Sequence, residues 1–445
     1  MSAILYPTTS PNFSEQLLLE RGEGVYVYDA DGKQYLEGMA GLWCVSLGYG
    51  NMELADAARN QIAKLSFGHM FGGKYHQVGV DLAEKLKSMV PVDNAAIFFG
   101  TSGSDANDTH IKLWHYYFNA IGKPEKRKII CRDKAYHGVT YGSAALTGLA
   151  SSHTSFDLPF KDLGVLRVDA PHYYRNALDG ESESEFTTRL ANQLEQTIVG
   201  AGPESVAAFV AEPMHAVGGV IVPPDDYWQK ISAVLLKYDI LLCADEVVTA
   251  FGRTGDDFGS NTFGLRPQQM TLAKGLSSGY MPISAAVICG EMHEVILQKS
   301  SELGVFGHGY TYSGHPVACA VALKTLEIYE RDNLFEIAAA TGSYLQSCLA
   351  KLREHPLVGE VRGKGLLAAV ELVSDKVHKT ACLPAVAMFA QQKCQENGLI
   401  VRAIAGNCLG ICPPLTISYE EIDELVEKLT LSLDQTSYHQ SGVDA

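Results

Sequence analysis

Short apolar runs, separated by segments of helical periodicity, dominate the sequence between residues 95 and 320. The runs are Ala95–Phe99, Lys128–Cys131, Val206–Ala211, Ile240–Ala244, Met270–Ala273 and Ser284–Cys289. Nearly continuous apolar strands that alternate with helices predict a mainly parallel sheet with helices on both faces. Ligands of such sheets bind beyond the carboxyl ends of the strands. The polar residues that follow each run are therefore the first candidates for chemistry.

Two further regions flank this α/β part of the chain. On the N-terminal side, an arm over residues 1–21 precedes Val25–Tyr28 and Gln34–Leu36, which predict a hairpin around an Asp-Gly turn. Other helices and strands are predicted at Met52–Leu65, Gln77–Val90, His315–Arg331, Leu334–Arg353, Leu366–Leu372, Pro384–Asn397, Leu399–Arg402 and Tyr419–Leu433. We predict three parts: residues 1–65, which pack with the small domain, a large domain over 66–320, and a small α+β domain over 321–445.

The composition narrows the classes of function. Lys and Arg are outnumbered 35 to 51 by Asp and Glu, and the formal charge of -16 argues against a nucleic-acid partner. The 10 cysteines include no Cys-x-x-Cys pair, which favours reduced thiols over disulfides or a metal site. The sequence has neither the pattern of a signal peptide nor an apolar run near the roughly 20 residues of a membrane span. We expect a soluble cytoplasmic protein without metal or membrane partners.

A lysine follows one of the apolar runs directly. Lys274 comes after Met270–Ala273, and Gly275 and a Ser/Gly-rich segment follow it. A lysine at the end of a strand, next to small residues that let a ligand approach, is typical of a Schiff-base nucleophile. The alternative is a solvated lysine in a loop.

A second candidate follows Phe99, where Gly100-Thr-Ser-Gly-Ser-Asp-Ala-Asn-Asp108 leads into a helix predicted over His110–Ile121. Small residues that expose backbone N–H groups at a helix N-terminus can bind a phosphate. Ordinary helix capping by Ser or Thr is the alternative. The glycine patterns of dinucleotide-binding folds and of P-loops are both absent here.

Aromatic and acidic residues follow three more runs. Tyr136 comes after Lys128–Cys131, and Glu212 and Asp245 come after the next two runs. A buried carboxylate needs a positive partner, which a protonated pyridine nitrogen would supply; an N-cap or an arginine pair is the alternative. Tyr136 could stack on a planar ring or could belong to an ordinary loop. Lysine, aspartate, aromatic ring and phosphate site together match the needs of pyridoxal 5′-phosphate.

At these residues the sequence resembles the class III aminotransferases of fold type I, over roughly residues 20–435. The motifs are Ser102-Gly-Ser-Asp-Ala-Asn107, Ala244-Asp-Glu-Val-Val-Thr-Ala-Phe-Gly-Arg-Thr-Gly255, Ala273-Lys-Gly-Leu-Ser-Ser-Gly-Tyr-Met-Pro282 and Gly309-Tyr-Thr-Tyr-Ser-Gly-His-Pro316. Within the class, Gly41-Leu-Trp-Cys-Val45 and Val220-Ile-Val-Pro-Pro224 most resemble the ω-transaminases, which pass amino groups from amines or ω-amino acids to pyruvate. The resemblance implies a large domain with a mainly parallel seven-stranded sheet and a smaller α+β domain.

The resemblance also implies roles for particular residues. Lys274 is expected to form the Schiff base with the cofactor and then to move a proton, while Asp245 pairs with the ring nitrogen and Tyr136 stacks on the ring. The other implied cofactor contacts are Ser102, Gly103 and Ser104 at the phosphate, His137 beside Tyr136, Val247 on the other ring face, Glu212 behind the ring, and Thr311 at the phosphate of a neighbouring subunit. A homodimer with shared sites, or a tetramer built from such dimers, is therefore expected.

The same resemblance predicts how substrates bind. Arg402 is expected to pair with the carboxylate of a keto acid and to swing aside for an uncharged amine, because a guanidinium binds carboxylates in a bidentate manner. Trp43 and Phe71 are expected to line the pocket; as an alternative, they are ordinary core aromatics, and Arg402 is a surface residue.

Two positions depart from relatives that act on ornithine or γ-aminobutyrate. Val217 replaces the glutamate that gates the arginine, which favours pyruvate over 2-oxoglutarate. His215 replaces a glutamine that contacts the cofactor ring, although an imidazole can still donate one hydrogen bond. Putrescine, β-alanine, taurine and larger amines all remain compatible donors. Alternatives to transamination are an aminomutase or decarboxylase on the same fold, or an inactive cofactor-binding regulatory protein.

Overall fold

A seven-stranded sheet forms the centre of the computed structural model, which describes residues 3–9 and 17–443. Its strands lie in the order Ala96–Gly100, Ser284–Ile288, Gln269–Leu272, Leu241–Asp245, Val206–Ala211, Lys128–Arg132 and Val165–Val168. Ser284–Ile288 runs antiparallel to both of its neighbours, and the other strands share one direction. This arrangement confirms the predicted α/β fold with a large, mainly parallel sheet. The edge strand Val165–Val168 was not indicated by the apolar pattern.

The shared direction of six strands brings the ends of distant segments to one edge of the sheet. Every side chain of Val206–Ala211 is buried, as expected for a central strand covered on both faces. The carboxyl end of Leu241–Asp245 lies beside Gln269–Leu272, with Asp245 opposite Thr271. The residues that follow these strands therefore meet at this edge.

Helices cover both faces of the sheet and build the rest of the molecule. Their bounds are Met52–Leu65, Gln77–Met89, Gly103–Ala120, Tyr141–Leu146, Tyr173–Asn176, Glu183–Ala201, Tyr227–Lys237, Gly259–Thr262, Gly290–Leu303, Pro316–Arg331, Leu334–Ala350, Pro384–Glu396 and Tyr419–Val443. The helix predicted from His110 begins earlier, at Gly103. The cause is a capping box, in which Ser102 and Asp105 each bond the other's backbone N–H.

Two smaller sheets lie outside the central one. The first joins Leu19–Glu23, Tyr26–Asp29 and Gln34–Glu37 to Leu399–Ile400, which pairs in parallel with Gln34–Glu37. The second contains Val358–Lys364, Leu367–Asp375, Cys408–Ile411 and Arg402–Ile404, with Thr380–Ala381 on its border. The N-terminal hairpin is thus bonded to the C-terminal part of the chain.

One hydrophobic core crosses the predicted boundaries between the three parts of the chain. It includes Leu54, Met270 and Leu429, all fully buried. Residue 320 lies inside the Pro316–Arg331 helix, which packs against both Met52–Leu65 and Gln77–Met89. We retain the division into residues 1–65, 66–320 and 321–445 as a proposal; the predicted arm lies partly outside the described residues. In the part of the chain that the structure describes, no helix is long and apolar enough to cross a bilayer.

Candidate active site

A cavity of about 790 Å³ opens at the carboxyl edge of the central sheet. Most of the site residues predicted from the sequence line it: Trp43, Ser102, Gly103, Ser104, Tyr136, His137, Glu212, Asp245, Val247, Lys274 and Arg402. The fold thus collects in one place residues from the N-terminal segment, the central sheet and the C-terminal sheet.

Asp245 is the last residue of its strand, and its side chain is only 4% exposed. Its Oδ2 accepts hydrogen bonds from His137 Nδ1 and Asn107 Nδ2, both at 2.8 Å, and its Oδ1 accepts one from the N–H of Val247 at 3.2 Å. Burial alone would raise the pKa of Asp245, but these hydrogen bonds outweigh burial and hold it below its ordinary value. Asp245 therefore carries a negative charge at neutral pH.

Sequence reasoning did not single out Asn107 or Thr271, although both support Asp245. Asn107 is buried in the Gly103–Ala120 helix, and its Nδ2 also donates to the carbonyl of His137 at 2.6 Å. Its Oδ1 accepts a hydrogen bond from Thr271 Oγ1 at 2.7 Å. Two sequence features could have indicated these residues. Asn107 lies one helical turn after Gly103, on the same face of the helix, and Thr271 is a polar residue inside an apolar strand.

Lys274 begins a short 3₁₀ turn directly after the strand Gln269–Leu272. Its φ of 48° lies in the left-handed region, which is uncommon for a residue with a side chain. Tyr329 helps to hold this turn by donating a hydrogen bond to the carbonyl of Gly275 at 2.7 Å. Burial lowers the pKa of the Lys274 ammonium group, and Cys44 and Asp245 offset part of that effect. A lysine with a lowered pKa is a better nucleophile at neutral pH.

The N-terminus of the Gly103–Ala120 helix faces the same cavity. Ser102 is its N-cap, so the capping role considered for this residue is present in the structure. The first N–H groups of a helix have no partner within the helix and attract anions. A Cβ atom added at Gly103 would lie 2.8 Å from Val247 Cγ2, so the helix end approaches the cavity only because residue 103 is glycine. Ser104 adds a hydroxyl to this anion site.

Glu212 joins two of the loops at the edge of the sheet. Its carboxylate accepts hydrogen bonds from the N–H groups of Tyr136, at 3.1 Å, and Ala216, at 2.9 Å. Burial raises the pKa of Glu212 and also that of the Tyr136 phenol. Tyr136 therefore presents a neutral aromatic ring to the cavity.

His215 is fully buried and does not line the cavity. Its Nε2 lies 3.2 Å from the carbonyl oxygen of Asp133, and burial holds its pKa well below the ordinary value. The ring hydrogen bond considered for this imidazole is therefore not part of the arrangement. The reason is that the side chain turns toward the Asp133 loop.

Trp43 lies close to both the reactive lysine and the predicted substrate anchor. Lys274 Nζ lies 5.6 Å from the centre of the Trp43 ring, and the guanidinium carbon of Arg402 lies 5.4 Å from the same point. Arg402 forms no ion pair with any described carboxylate, and burial lowers its pKa. Val217 lines the same cavity. The site thus contains a charged guanidinium that is not ion-paired to any carboxylate of the described residues.

A buried ion network connects the two cavity walls that carry Val217 and Arg402. Arg362 donates two hydrogen bonds to the carbonyl of Gly219, at 2.8 and 2.6 Å, and pairs with Glu371 at 2.5 Å. Glu371 also accepts a hydrogen bond from Asn407, in the turn that follows the strand of Arg402. This network fixes the position of both walls.

Phe71 and Thr311 do not line the cavity of the chain that carries them. Both are exposed, and an added Cβ at Gly309 would lie 2.8 Å from the Phe71 ring. These two predicted site residues therefore lie near each other on the surface, outside the lining of the cavity that contains Lys274.

The residues of the cavity fit pyridoxal 5′-phosphate, the cofactor implied by the sequence resemblance. A buried carboxylate, Asp245, suits the cationic ring nitrogen, and the desolvated Lys274 amine suits the aldehyde. The helix N-terminus at Gly103 suits the phosphate, and Tyr136 supplies an aromatic wall.

Comparison with known proteins agrees with this reading. Residues 8–433 match the family model described as aminotransferase class-III. A mitochondrial γ-aminobutyrate transaminase 1 of Solanum lycopersicum is 46% identical over 425 residues, which cover 95% of this chain and 82% of the relative. The omega transaminase of Pseudomonas jessenii in complex with PMP is 49% identical with a TM-score of 0.96, covering 98% of this chain and 96% of the other. A thermostable omega transaminase variant engineered for synthesis of bulky amines is 49% identical with a TM-score of 0.96. The match covers 98% of this chain and 97% of the variant.

Proposed function

This chain belongs to the class-III aminotransferases, and we propose that it transfers an amino group from a primary amine or an ω-amino acid to pyruvate. The products are an aldehyde or ketone and L-alanine. The cofactor is pyridoxal 5′-phosphate, as in the rest of the family. Amine and keto acid occupy the same cavity in turn, in a ping-pong sequence.

The observation that supports the proposal is the guanidinium of Arg402, which has no ion-pair partner among the described residues and lines the same cavity as Val217. A short keto acid has to place its carboxylate against a cation, and a guanidinium offers two parallel N–H donors. A glutamate at position 217 would compete for that cation, whereas valine does not. Arg402 is therefore ready to bind the carboxylate of pyruvate.

The remaining residues perform the chemistry common to both half-reactions. When bound, pyridoxal 5′-phosphate supplies an aldehyde for the amine and an electron-withdrawing ring. Asp245 holds a negative charge where the ring nitrogen is expected, and His137 and Asn107 keep that carboxylate ionised and fixed. The Lys274 amine, with its lowered pKa, holds and moves the proton at the reacting carbon.

The comparisons support an amine donor. The engineered neighbour was changed at a tryptophan, a phenylalanine and an arginine, and Trp43, Phe71 and Arg402 have the same spacing in this sequence. That variant was engineered for bulky amines, which supports a role of these positions in substrate size here. The γ-aminobutyrate transaminase supports ω-amino acids as a second donor class.

We also propose that the chain works as a homodimer in the cytoplasm. Phe71 and Thr311 are exposed together, outside the cavity of their own chain, as expected of residues that complete a neighbouring subunit's site. The free state of all 10 cysteines is consistent with a reducing compartment. Sedimentation of the cofactor-loaded protein tests the dimer.

The proposed substrates are tested with a panel of amine donors, each assayed with pyruvate and with 2-oxoglutarate. The panel includes γ-aminobutyrate, β-alanine, putrescine and an uncharged aromatic amine. We expect a higher kcat/KM for pyruvate than for 2-oxoglutarate with every accepted donor. A preference for 2-oxoglutarate would show that the acceptor assignment is wrong, while leaving the family assignment intact.

A further inference from the structure

Glu37 is a buried carboxylate near the active site that the proposed chemistry does not use. It is only 3% exposed and ends the strand Gln34–Glu37. Its Oε1 accepts a hydrogen bond from the N–H of Met39 at 2.9 Å. Its Oε2 accepts one from the N–H of Gly41 at 2.9 Å and one from the Tyr49 hydroxyl at 3.0 Å.

These hydrogen bonds hold a strained segment of the backbone. Ala40, Gly41 and Trp43 all have left-handed φ values, of 46°, 67° and 58°. For residues with a side chain such conformations are unfavourable and persist only where neighbouring contacts fix them. The Glu37 carboxylate supplies two of those contacts through N–H groups on either side of Ala40.

Glu37 is itself well anchored. Its own N–H donates to the carbonyl of Val25 at 2.9 Å, and the N–H of Gly38 donates to the carbonyl of Ile400 at 2.9 Å. The carboxylate thus links the turn by hydrogen bonds to a strand that is itself held by its neighbours.

The Trp43 side chain depends on this turn for its position. Its indole Nε1 is buried and has no hydrogen-bond partner among the described residues. The ring is therefore placed by packing and by the backbone rather than by a polar contact of its own. Because the ring meets both Lys274 and Arg402, a shift of the turn changes the space available to the substrate.

We propose that Glu37 is a positioning residue for substrate size: through Met39, Gly41 and Tyr49 it fixes the left-handed turn that presents Trp43 to the substrate cavity. The role of Glu37 in substrate size rests on the proposed function, whereas its role in holding the turn does not. Glu37 touches neither the cofactor pocket nor the substrate, so its effect passes through Trp43.

The test compares Glu37→Gln with Glu246→Gln in the full-length, cofactor-loaded protein. Glu246 is a matched control, because this buried carboxylate also accepts two N–H groups, of Gly259 and Ser260, and one hydroxyl, of Thr249. Glutamine keeps the size of the side chain but replaces an acceptor oxygen by a donor. Tyr49→Phe is a milder second variant, which removes only one hydrogen bond to Glu37.

Two readouts are measured. The first is the ratio of kcat/KM for a bulky aromatic amine to that for a small aliphatic amine. The second is acrylamide quenching of Trp43 fluorescence, obtained by subtracting the signal of the corresponding Trp43→Phe protein, so that the other two tryptophans cancel. We expect Glu37→Gln to raise the ratio about fivefold or more and to increase the quenching, as a loosened wall requires. Glu246→Gln should leave both readouts within about twofold of wild type.

Unchanged readouts in a folded Glu37→Gln protein would overturn the proposal, as would equal changes in Glu246→Gln. If Glu37→Gln does not fold, Tyr49→Phe decides: a smaller shift in the same direction supports the proposal, and no shift refutes it. Quenching needs no turnover. A failure of the proposed amine:pyruvate activity is therefore distinguishable from a failure of this inference.

Discussion

The guanidinium carbon of Arg402 lies 5.4 Å from the centre of the Trp43 ring, in a cavity where no described carboxylate pairs with it. A cation–π contact supplies no anion, so it leaves the positive charge of the guanidinium without a counter-charge. Arg402 can therefore exchange this contact for a substrate carboxylate. In the proposed reaction, these two residues let one cavity accept first an uncharged amine and then a charged keto acid.

Replacing Lys274 by alanine should leave less than about one per cent of the wild-type turnover, because the nucleophilic amine is lost. Lys134→Ala is a suitable control, since Lys134 also lines the cavity but has no role in the chemistry. Alanine formation from pyruvate is the measurement. Comparable losses in both variants would argue against a special role for Lys274.

Asp245→Asn should lower kcat by several orders of magnitude, because the ring nitrogen loses its counter-charge. Glu212→Gln should lower kcat much less, since the Glu212 carboxylate binds backbone N–H groups of two loops. Single-turnover kinetics of the loaded proteins provide the comparison. A kcat for Asp245→Asn close to that of wild type would remove the residue from the mechanism.

Introducing a carboxylate at Val217 should close the anion site. In Val217→Glu the new side chain competes for Arg402, and kcat/KM for pyruvate should fall about tenfold or more, equivalent to about 1.4 kcal/mol. Val217→Gln has the same size without the charge and serves as the control. If kcat/KM for pyruvate falls equally in the two variants, steric hindrance rather than charge explains the effect.

Glu37 should make stability depend on pH. Burial raises the pKa of Glu37 from 4.5 to about 7, and hydrogen bonds from Met39, Tyr49 and Gly41 offset part of this rise. The titratable neighbours of Glu37 are Tyr49 and Cys412, and no cation of the described residues pairs with it. Between pH 4.5 and about pH 7 the folded protein binds more protons than the unfolded one, so the free energy of unfolding falls as pH rises.

The size of this effect is up to about 3 kcal/mol, at 1.36 kcal/mol per pKa unit. Glu37→Gln lacks the titrating group, so the Tm of the variant minus that of wild type should increase between pH 4.5 and pH 7. Thermal unfolding at several pH values measures the difference. A difference that stays constant would mean that Glu37 ionises normally.

The apolar runs predicted six strands of the central sheet because five of those strands are almost fully buried, and the sixth, the edge strand Ala96–Gly100, is itself made of apolar residues. Val165–Val168 escaped notice because it is a short edge strand, with three of its four side chains only partly buried. The early start of the Gly103–Ala120 helix was also missed, since its first turn has the composition of a loop. Ser102 and Asp105 overcome that composition through their capping box.

The site was predictable wherever a residue ends a strand or follows it closely, as Asp245 and Lys274 do, because topology alone brings such residues to one edge. Asn107 and Glu37 were not predictable in this way. Their roles depend on which groups their side chains meet after folding. The left-handed backbone of Trp43 likewise had no signal in the sequence beyond the glycine at position 41.

Arg402→Leu separates the two substrates if Arg402 anchors the carboxylate of pyruvate but not the amine. The measurement is kcat/KM for pyruvate and, separately, for an uncharged amine. We predict a loss of about a hundredfold for pyruvate, as expected when a bidentate charged pair is removed, and a change within about threefold for the amine. Equal losses of kcat/KM for both substrates would show that Arg402 is not a specific anchor for the carboxylate.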